Sequence, residues 1–460
     1  MTTTKNNEHK KLNFPNEQEQ SQACLNSAEH EKNQGRKVLN VPNKREQNQT
    51  CLDSAEREGL RPKGNVPNLR FKEFQGEWEK TKFGDIATGF DYGMNAAAKN
   101  YDGVNKYIRI TDIDEASSTY TDKDIVSPDG VLTDNYLVNN RDILLARTGA
   151  STGKSYLYKK SDGKLYYAGF LIRANVTTHD PYFVFSQLHT HRYCRWVSIM
   201  SARSGQPGIN SQEYSSFPIY TTSIEEESKI AKLLSLLDER IATQNKIIDK
   251  LQSLIKGLND FLYTQYGGEV LTSFAELGTS YSGLSGKSAQ DFGSGKPFIT
   301  YLNVYSNNVI KENDFQYVAI KDDEKQNVVK YGDVLFTLSS ETPEEVGVGS
   351  VYLGKEKVYL NSFCFGIHIT NTEVAFSPYL SYYVSLTAFR KFIYPYAQGS
   401  TRFNLCKADF EKASIKLPTL ADQKRIYSVL GHIDCKIETE RQMLNLYNSQ
   451  KQYLLRQMFI

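Results

Sequence analysis

The sequence predicts an α+β chain with an internal repeat: two β-rich domains, each followed by a long amphipathic helix. Three observations carry this. Short β-type runs divided by Gly, Asn and Asp turns fill residues 69–220 and again 268–417. After each stretch the apolar period changes to about 3.5, the seam of a coiled coil. The two seams then superpose at a constant displacement of 196 residues: Ile426 answers Ile230, Leu430 answers Leu234, and Met458 answers Leu262.

The boundaries that follow are a repetitive tail at 1–62, a first β-rich domain at 63–221, a first helix at 222–267, a second β-rich domain at 268–418 and a second helix at 419–460. The tail is rich in Asn, Gln, Glu and Lys and nearly free of aromatics, so burial cannot offset its ordering entropy. Within it Gln22–Glu29 recurs as Gln49–Glu56, and Val41-Pro42-Asn43 recurs as Val66-Pro67-Asn68. It reads as a duplicated flexible segment, with a peptide docking site as the alternative. Folded sequence begins near Leu69, with Trp78 close behind.

In the first domain the β-type runs include Lys106–Ile110, Asp142–Ala146 and Phe170–Ala174; in the second, Phe298–Leu302, Asp333–Thr337 and Cys364–Ile369. The first helical seam is Ile230, Leu234, Leu237, Ile241, Ile248, Leu251, Ile255, Leu258 and Leu262, interrupted only by Gln244. The second is Ile426, Leu430, Ile433, Ile437, Leu444, Tyr447, Lys451, Leu454 and Met458, interrupted at Glu440, which lies 196 residues from Gln244. Asp434 answers Asp238 at the same displacement. Two unrelated helices would not share phase, length and the site of the polar residue. Glu225, Glu226 and Glu227 crowd the first turn of the first helix, where the helix dipole favours negative charge.

The β-rich parts agree more loosely. Arg141–Leu145 answers Gly332–Phe336, and a small-residue loop follows each: Arg147-Thr148-Gly149-Ala150-Ser151-Thr152-Gly153-Lys154 and Ser339-Ser340-Glu341-Thr342-Pro343. Further on, Ser204–Asn210 answers Gln398–Asn404. The helices are therefore constant while the domains share a skeleton and differ in loops. Two seams of this kind favour an antiparallel coiled-coil pair, giving a pseudo-twofold molecule with a rigid spacer of roughly 60 Å. Such a spacer suits two features a fixed distance apart on an extended ligand, with DNA the natural candidate. Gln244 and Glu440 would trade some stability for register. A plain helical contact with no spacing role is the alternative.

Composition bounds the partners. With 55 basic and 53 acidic residues the formal charge is +2, which argues against a general polycation but not against local basic patches. Six scattered cysteines form no CxxC pair, so neither a disulfide framework nor a zinc knuckle is expected. No apolar run is long enough to span a bilayer and no signal peptide is evident, so a cytoplasmic protein is expected.

From about Pro67 onward the chain resembles the specificity subunits of type I restriction–modification systems. The residues that carry this are Val66–Phe71 with Trp78, the Asp-Ile/Val-Leu strand with its following loop, the Gly-Ser/Gln to Ile/Phe-Asn segment, and above all the helix starts Ile224–Ile241 and Leu420–Ile437. The resemblance implies two target recognition domains, each reading one half of a split, asymmetric DNA sequence. It implies helices that set the spacer and dock two methyltransferase subunits. It implies a non-catalytic chain without cofactor, S-adenosylmethionine belonging to the methyltransferase partner and ATP with magnesium to a restriction partner. A scaffold that reads no DNA, and a methyltransferase with a degenerate motif, remain the competing readings.

The residues themselves point to candidate DNA contacts. Arg147 and Lys154 can neutralise phosphates, while Thr148, Ser151, Ser339, Ser340, Ser400 and Thr401 permit close approach of the backbone. Arg203 and Arg402 suit guanine, and Gln206, Asn210 and Asn404 suit adenine, by paired hydrogen bonds in the major groove. The asparagines suit helix caps equally well. Thr148–Ser155 falls one residue short of a phosphate-binding P-loop between its glycines, so nucleotide binding is not expected. Asp180-Pro181-Tyr182-Phe183 lacks the second proline of an adenine-methyltransferase motif and suits a helix start. His189, His191 and Cys194 have ligand chemistry but no evident fourth ligand, so no metal site is expected.

Overall fold

The computed structural model describes residues 64–202 and 206–460. The repetitive tail and Arg203 lie outside the described residues. The chain forms two compact units, residues 64–247 with 440–460 and residues 248–439, so each unit takes part of both long helices.

In the first unit, β1 (Ala87–Tyr92), β2 (Asp142–Ala146), β3 (Ser155–Leu157) and β4 (Leu171–Val176) form an antiparallel sheet in the order β1-β4-β2-β3. Every residue of β2 is buried, because it is central and covered on both faces. Alternation sorts its side chains: Ile143 and Leu145 join Trp78, Phe183, Ile230 and Leu234, while Leu144 and Ala146 join Tyr156 and Tyr167. The first turns of the following helix, α1 (Ile224–Tyr266), thus lie in the same core as the sheet.

The second unit repeats this plan. Its strands β5 (Gly278–Ser282), β6 (Val334–Thr337), β7 (Gly349–Val351) and β8 (Cys364–Ile369) take the order β5-β8-β6-β7. Val334 and Phe336 face the cluster that holds Ile426 and Leu430 of α2 (Leu420–Gln457), and Leu335 faces the opposite one. The turn into each central strand needs positive φ. Gly332 (φ 86°) supplies it in the second unit, whereas Arg141 (φ 72°) occupies it in the first. Arg141 is held there by its guanidinium, which donates to the carbonyls of Val176 (2.6 Å), Thr177 (3.2 Å) and His179. Asp142 and Asp333 close these turns by accepting the amides of Asn139 (2.6 Å) and Lys330 (2.8 Å).

Each helix start is locked to its own unit by a buried side chain at matched positions. The Glu227 carboxylate accepts the Asp180 amide at 2.9 Å, and the Gln423 side-chain oxygen accepts the Phe376 amide at 2.8 Å. Glu226 pairs with Arg70 at 2.7 Å. The acidic first turn therefore does more than complement a dipole: Glu226 and Glu227 are buried anchors, and burial pushes the Glu227 carboxyl above its usual range. Three turns later Tyr182 donates to Asp238 at 2.5 Å, and Tyr382 donates to Asp434. Asp180 caps the helix Pro181–Gln187, accepting the amides of Tyr182 and Phe183.

The seam residues Ile230, Leu234 and Leu237 are buried with Leu454 and Met458 in the first unit, and Ile241 is half-buried there. In the second unit Ile426 and Leu430 are buried and Ile433 is half-buried; Ile437 is also buried. Within the first unit the segments of α1 and α2 run antiparallel: Asp238 meets Lys451 (2.7 Å), Arg240 donates to the Tyr447 hydroxyl (2.9 Å), and Gln244 donates to the Glu440 carbonyl (3.1 Å) and carboxylate. The two polar seam residues are therefore each other's partners, both buried.

Replacing Gln244 with Leu removes the amide facing a buried carboxylate and should destabilise the first unit by about 1–3 kcal/mol. Replacing Glu440 with Leu as well should recover most of that loss, because a well-packed apolar pair tends to match a buried polar one. Urea unfolding of the single and double variants checks both directions.

Candidate nucleic-acid interface

In the first unit the candidate loop begins where β2 ends. The Arg147 amide donates to the Phe170 carbonyl (3.1 Å), and the Arg147 carbonyl accepts the Ile209 amide (2.9 Å). Thr148 bridges Gly208, and the Gly149 amide donates to the Pro207 carbonyl at 3.0 Å. The two segments that sequence reading singled out, 147–154 and 206–210, thus lie side by side. Gly153 (φ 93°) must be glycine, since a Cβ there would come within 2.7 Å of Val197.

The guanidinium of Arg147 lies over the Tyr92 ring at 4.9 Å and the Phe170 ring at 5.9 Å, and its Nε donates to the Gly169 carbonyl at 3.0 Å. Lys154 pairs with Glu115 at 3.5 Å. Ser151 is half-buried, its carbonyl accepting the Lys154 amide. Gln206 is exposed. Asn210 is a helix cap: its side-chain oxygen accepts the Glu213 amide at 2.9 Å, and the Glu213 carboxylate accepts the Asn210 amide at 2.7 Å. The oxygen that adenine recognition would use is thereby occupied. Tyr92 accepts the Ser211 amide at 3.3 Å, and bonding to Ser211 holds its hydroxyl below the usual phenol range.

The second unit uses the same frame. The Leu338 amide donates to the Phe363 carbonyl (2.9 Å), and the Leu338 carbonyl accepts the Leu405 amide (2.8 Å). Ser339 and Ser340 pair antiparallel with Asn404 and Phe403, and Asn404 also pairs with Gln398 across a tight hairpin. Asn404 is exposed on this strand, and the next helix is capped without it. Ser400, Thr401 and Arg402 are exposed in the hairpin turn.

An open groove of about 770 Å³ runs beside this hairpin, lined by Tyr301, Tyr305, Glu341, Glu345, Phe363 and Arg402 among others. The Tyr301 and Tyr305 rings stack at 6.0 Å and 15°. Tyr305 donates to one Glu345 oxygen at 2.6 Å and Ser340 to the other at 3.0 Å. These bonds, Tyr305 first, hold the Glu345 carboxyl below its usual range, so it is ionised at neutral pH. Ser339 and Ser340 are buried, and the Ser339 carbonyl accepts the Tyr301 hydroxyl at 2.7 Å. They shape the groove wall; Arg402, Thr401 and Glu341 are its exposed polar groups. The Arg402 guanidinium lies 5.7 Å from the Phe363 ring centre.

Sequence reasoning missed Tyr92, Phe170, Tyr301, Tyr305, Glu345 and Phe363. Their types were visible, but nothing local distinguishes an aromatic or a carboxylate beside this surface from the many elsewhere in the chain. His189, weighed as a metal ligand, is held by the Phe185 carbonyl (2.9 Å) and the Ser118 hydroxyl (3.0 Å), and burial lowers its pKa to about 4. No group of three metal-ligating side chains occurs among the described residues.

The chain thus carries two units of one plan, each presenting an Arg–aromatic surface. Residues 75–253 and 279–446 both match the type I restriction modification DNA specificity domain, and the chain belongs to that family. It is 26% identical to the specificity subunit assigned to type I restriction enzyme MjaX of Methanocaldococcus jannaschii, over 82% of this chain and 91% of that one. Its fold is similar to the type I restriction–modification S subunit of M. genitalium (TM-score 0.51, 12% identity, 86% of this chain and 99% of that one). It is also similar to a chain from a structural study of type I complex assembly and conformational transition (TM-score 0.50, 15% identity, 82% and 96%). Among the described residues no helix is long and apolar enough to cross a membrane.

Replacing Tyr305 with Phe removes the main donor to Glu345 and should raise that carboxyl's pKa toward the ordinary range. An NMR titration of the Glu345 side-chain carboxyl measures the shift; no upward movement would show that Tyr305 does not set the charge.

Proposed function

We propose that this chain is the sequence-reading subunit of a type I restriction–modification complex. Each β-rich domain reads one half of a split, asymmetric DNA target, and the chain itself performs no catalysis. The long helices pair as an antiparallel coiled coil related by a pseudo-twofold axis, and they fix the unread spacer. They dock two methyltransferase subunits, which would hold S-adenosylmethionine; restriction subunits using ATP and magnesium join through the complex, in the cytoplasm.

One observation carries this reading: a constant frame presents different chemistry at matched places. Arg147 in the first unit stands where Leu338 stands in the second, bonded the same way on both sides. A loop with Lys154 in the first corresponds to one with Glu341, Glu344 and Glu345 in the second. A fixed, ionised acceptor such as Glu345 suits a cytosine amino group, whereas an arginine suits guanine. Two unlike surfaces predict two unlike half-sites. The family match in both copies favours this over a scaffold that reads no DNA. Exposed apolar residues on the helices, among them Leu236 (48%) and Leu446 (68%), are available to a docking partner.

The test is selection from a random duplex pool by the complex assembled with its methyltransferase subunits. Two unlike half-motifs with an unread gap are expected, and exchanging residues 63–221 for those of a relative should change one half alone. A single palindrome, or no preference at any salt, would overturn the reading. Leu446→Asp should abolish co-purification with the methyltransferase subunits while leaving the melting temperature unchanged; retained assembly would refute docking at that face.

A further inference from the structure

Each unit leaves a large apolar side chain exposed at the same place in its fold. Phe170, just before β4, is 59% exposed, and its carbonyl accepts the amide of the residue that leaves β2. Phe363, just before β8, is 54% exposed, and its carbonyl accepts the amide of the residue that leaves β6. One exposed phenylalanine needs no explanation. Two at equivalent positions, in domains whose loops otherwise diverge, do.

Each ring also carries a guanidinium, and the two arginines come from different segments. Arg147 leaves the central strand of the first unit, and Arg402 sits in the hairpin turn of the second. The matched Ile209 and Leu405 amides put the facing segments in register two residues from the pairing read in the sequence, so Leu338 and Gln206 stand at the converse positions. The cation has therefore stayed on the phenylalanine while its place in the chain has moved. Core packing does not require this, because both rings face solvent.

The arrangement also limits the freedom of each arginine. Stacking on an aromatic face fixes the plane of a guanidinium that would otherwise lose side-chain entropy on binding. Arg147 is further held through Nε and by the Tyr92 ring. Neither its Nη groups nor any part of the Arg402 guanidinium donates to another described residue. Among the described residues the fork that could bind bidentately is thus free in both units.

We propose that Phe170 with Arg147, and Phe363 with Arg402, are the base-reading elements of the two domains. The guanidinium donates to O6 and N7 of a guanine in the major groove, and the ring packs on the apolar edge of the neighbouring base pair. This rests on the DNA-reading function above and adds a guanine to each half-site.

The same pool selection tests it, with Arg402→Lys, Arg147→Lys and Phe363→Ala in the assembled complex. Lysine keeps the charge but loses the fork. Arg402→Lys should therefore keep non-cognate binding and its salt dependence while relaxing the guanine preference at one position of one half-site, by roughly 5- to 100-fold. The other half should stay as in the wild type. Arg147→Lys should do the same in the opposite half. Phe363→Ala should weaken cognate binding roughly tenfold at unchanged melting temperature. Phe363→Leu, which keeps apolar bulk without the flat ring, carries the test should the alanine variant lose its fold. A wild-type motif with no guanine in either half, or a guanine preference untouched by both lysine variants, would overturn the proposal while leaving a split motif intact. Absence of any wild-type preference would instead overturn the DNA-reading function.

Discussion

The rest of the structure depends on the lock between each β-rich domain and the first turn of the helix that follows it. A helix of about forty residues with a narrow apolar seam gains little from propensity alone and needs tertiary burial to persist. Glu227 and Gln423 supply the fixed point. Each is fully buried and accepts the amide that opens the neighbouring short helix segment, from Asp180 in one unit and Phe376 in the other. With that contact made, Ile230 and Leu234 enter the core of Trp78 and Phe183, while Ile426 and Leu430 enter that of Phe336 and Phe365. The amide of Gln423 satisfies itself with the carbonyls of Val374 and Pro418, whereas the carboxylate of Glu227 leans on His179. The geometry is common and the chemistry is not.

The same division runs through the candidate interface. Backbone hydrogen bonds from the end of the central strand to a flanking phenylalanine and to a facing segment recur in both units, so they belong to the frame. Side chains on that frame are free to differ, since the bonds beneath them use only main-chain atoms. This is why an arginine and a leucine can stand at matched places on one frame.

Part of the site was legible before the structure. The paired loops, Arg147, Arg402, Thr401 and the exposed Asn404 were all visible as polar residues beside a repeated strand. Asn210 shows the limit: an asparagine three residues before a glutamate reads equally as a base contact or a cap, and the structure commits its oxygen to the Glu213 amide. Ser339 and Ser340 looked like exposed loop residues but are buried in a short strand, where Ser340 orients Glu345. Phe170 and Phe363 were hidden for the opposite reason, as exposure is a property of the assembled surface and leaves no local signature.

By itself the sequence determined the duplication, the helix seams and the β-rich class of the domains, because hydrophobic period is a local property and survives divergence. Matched interruptions at Gln244 and Glu440 were countable along the chain. That these two residues hydrogen bond to each other was decided only by the tertiary structure, which brings together positions 196 residues apart. The same holds for the arginine on each exposed phenylalanine: it arrives from a different segment in each unit, and only packing in three dimensions could place each on the equivalent ring.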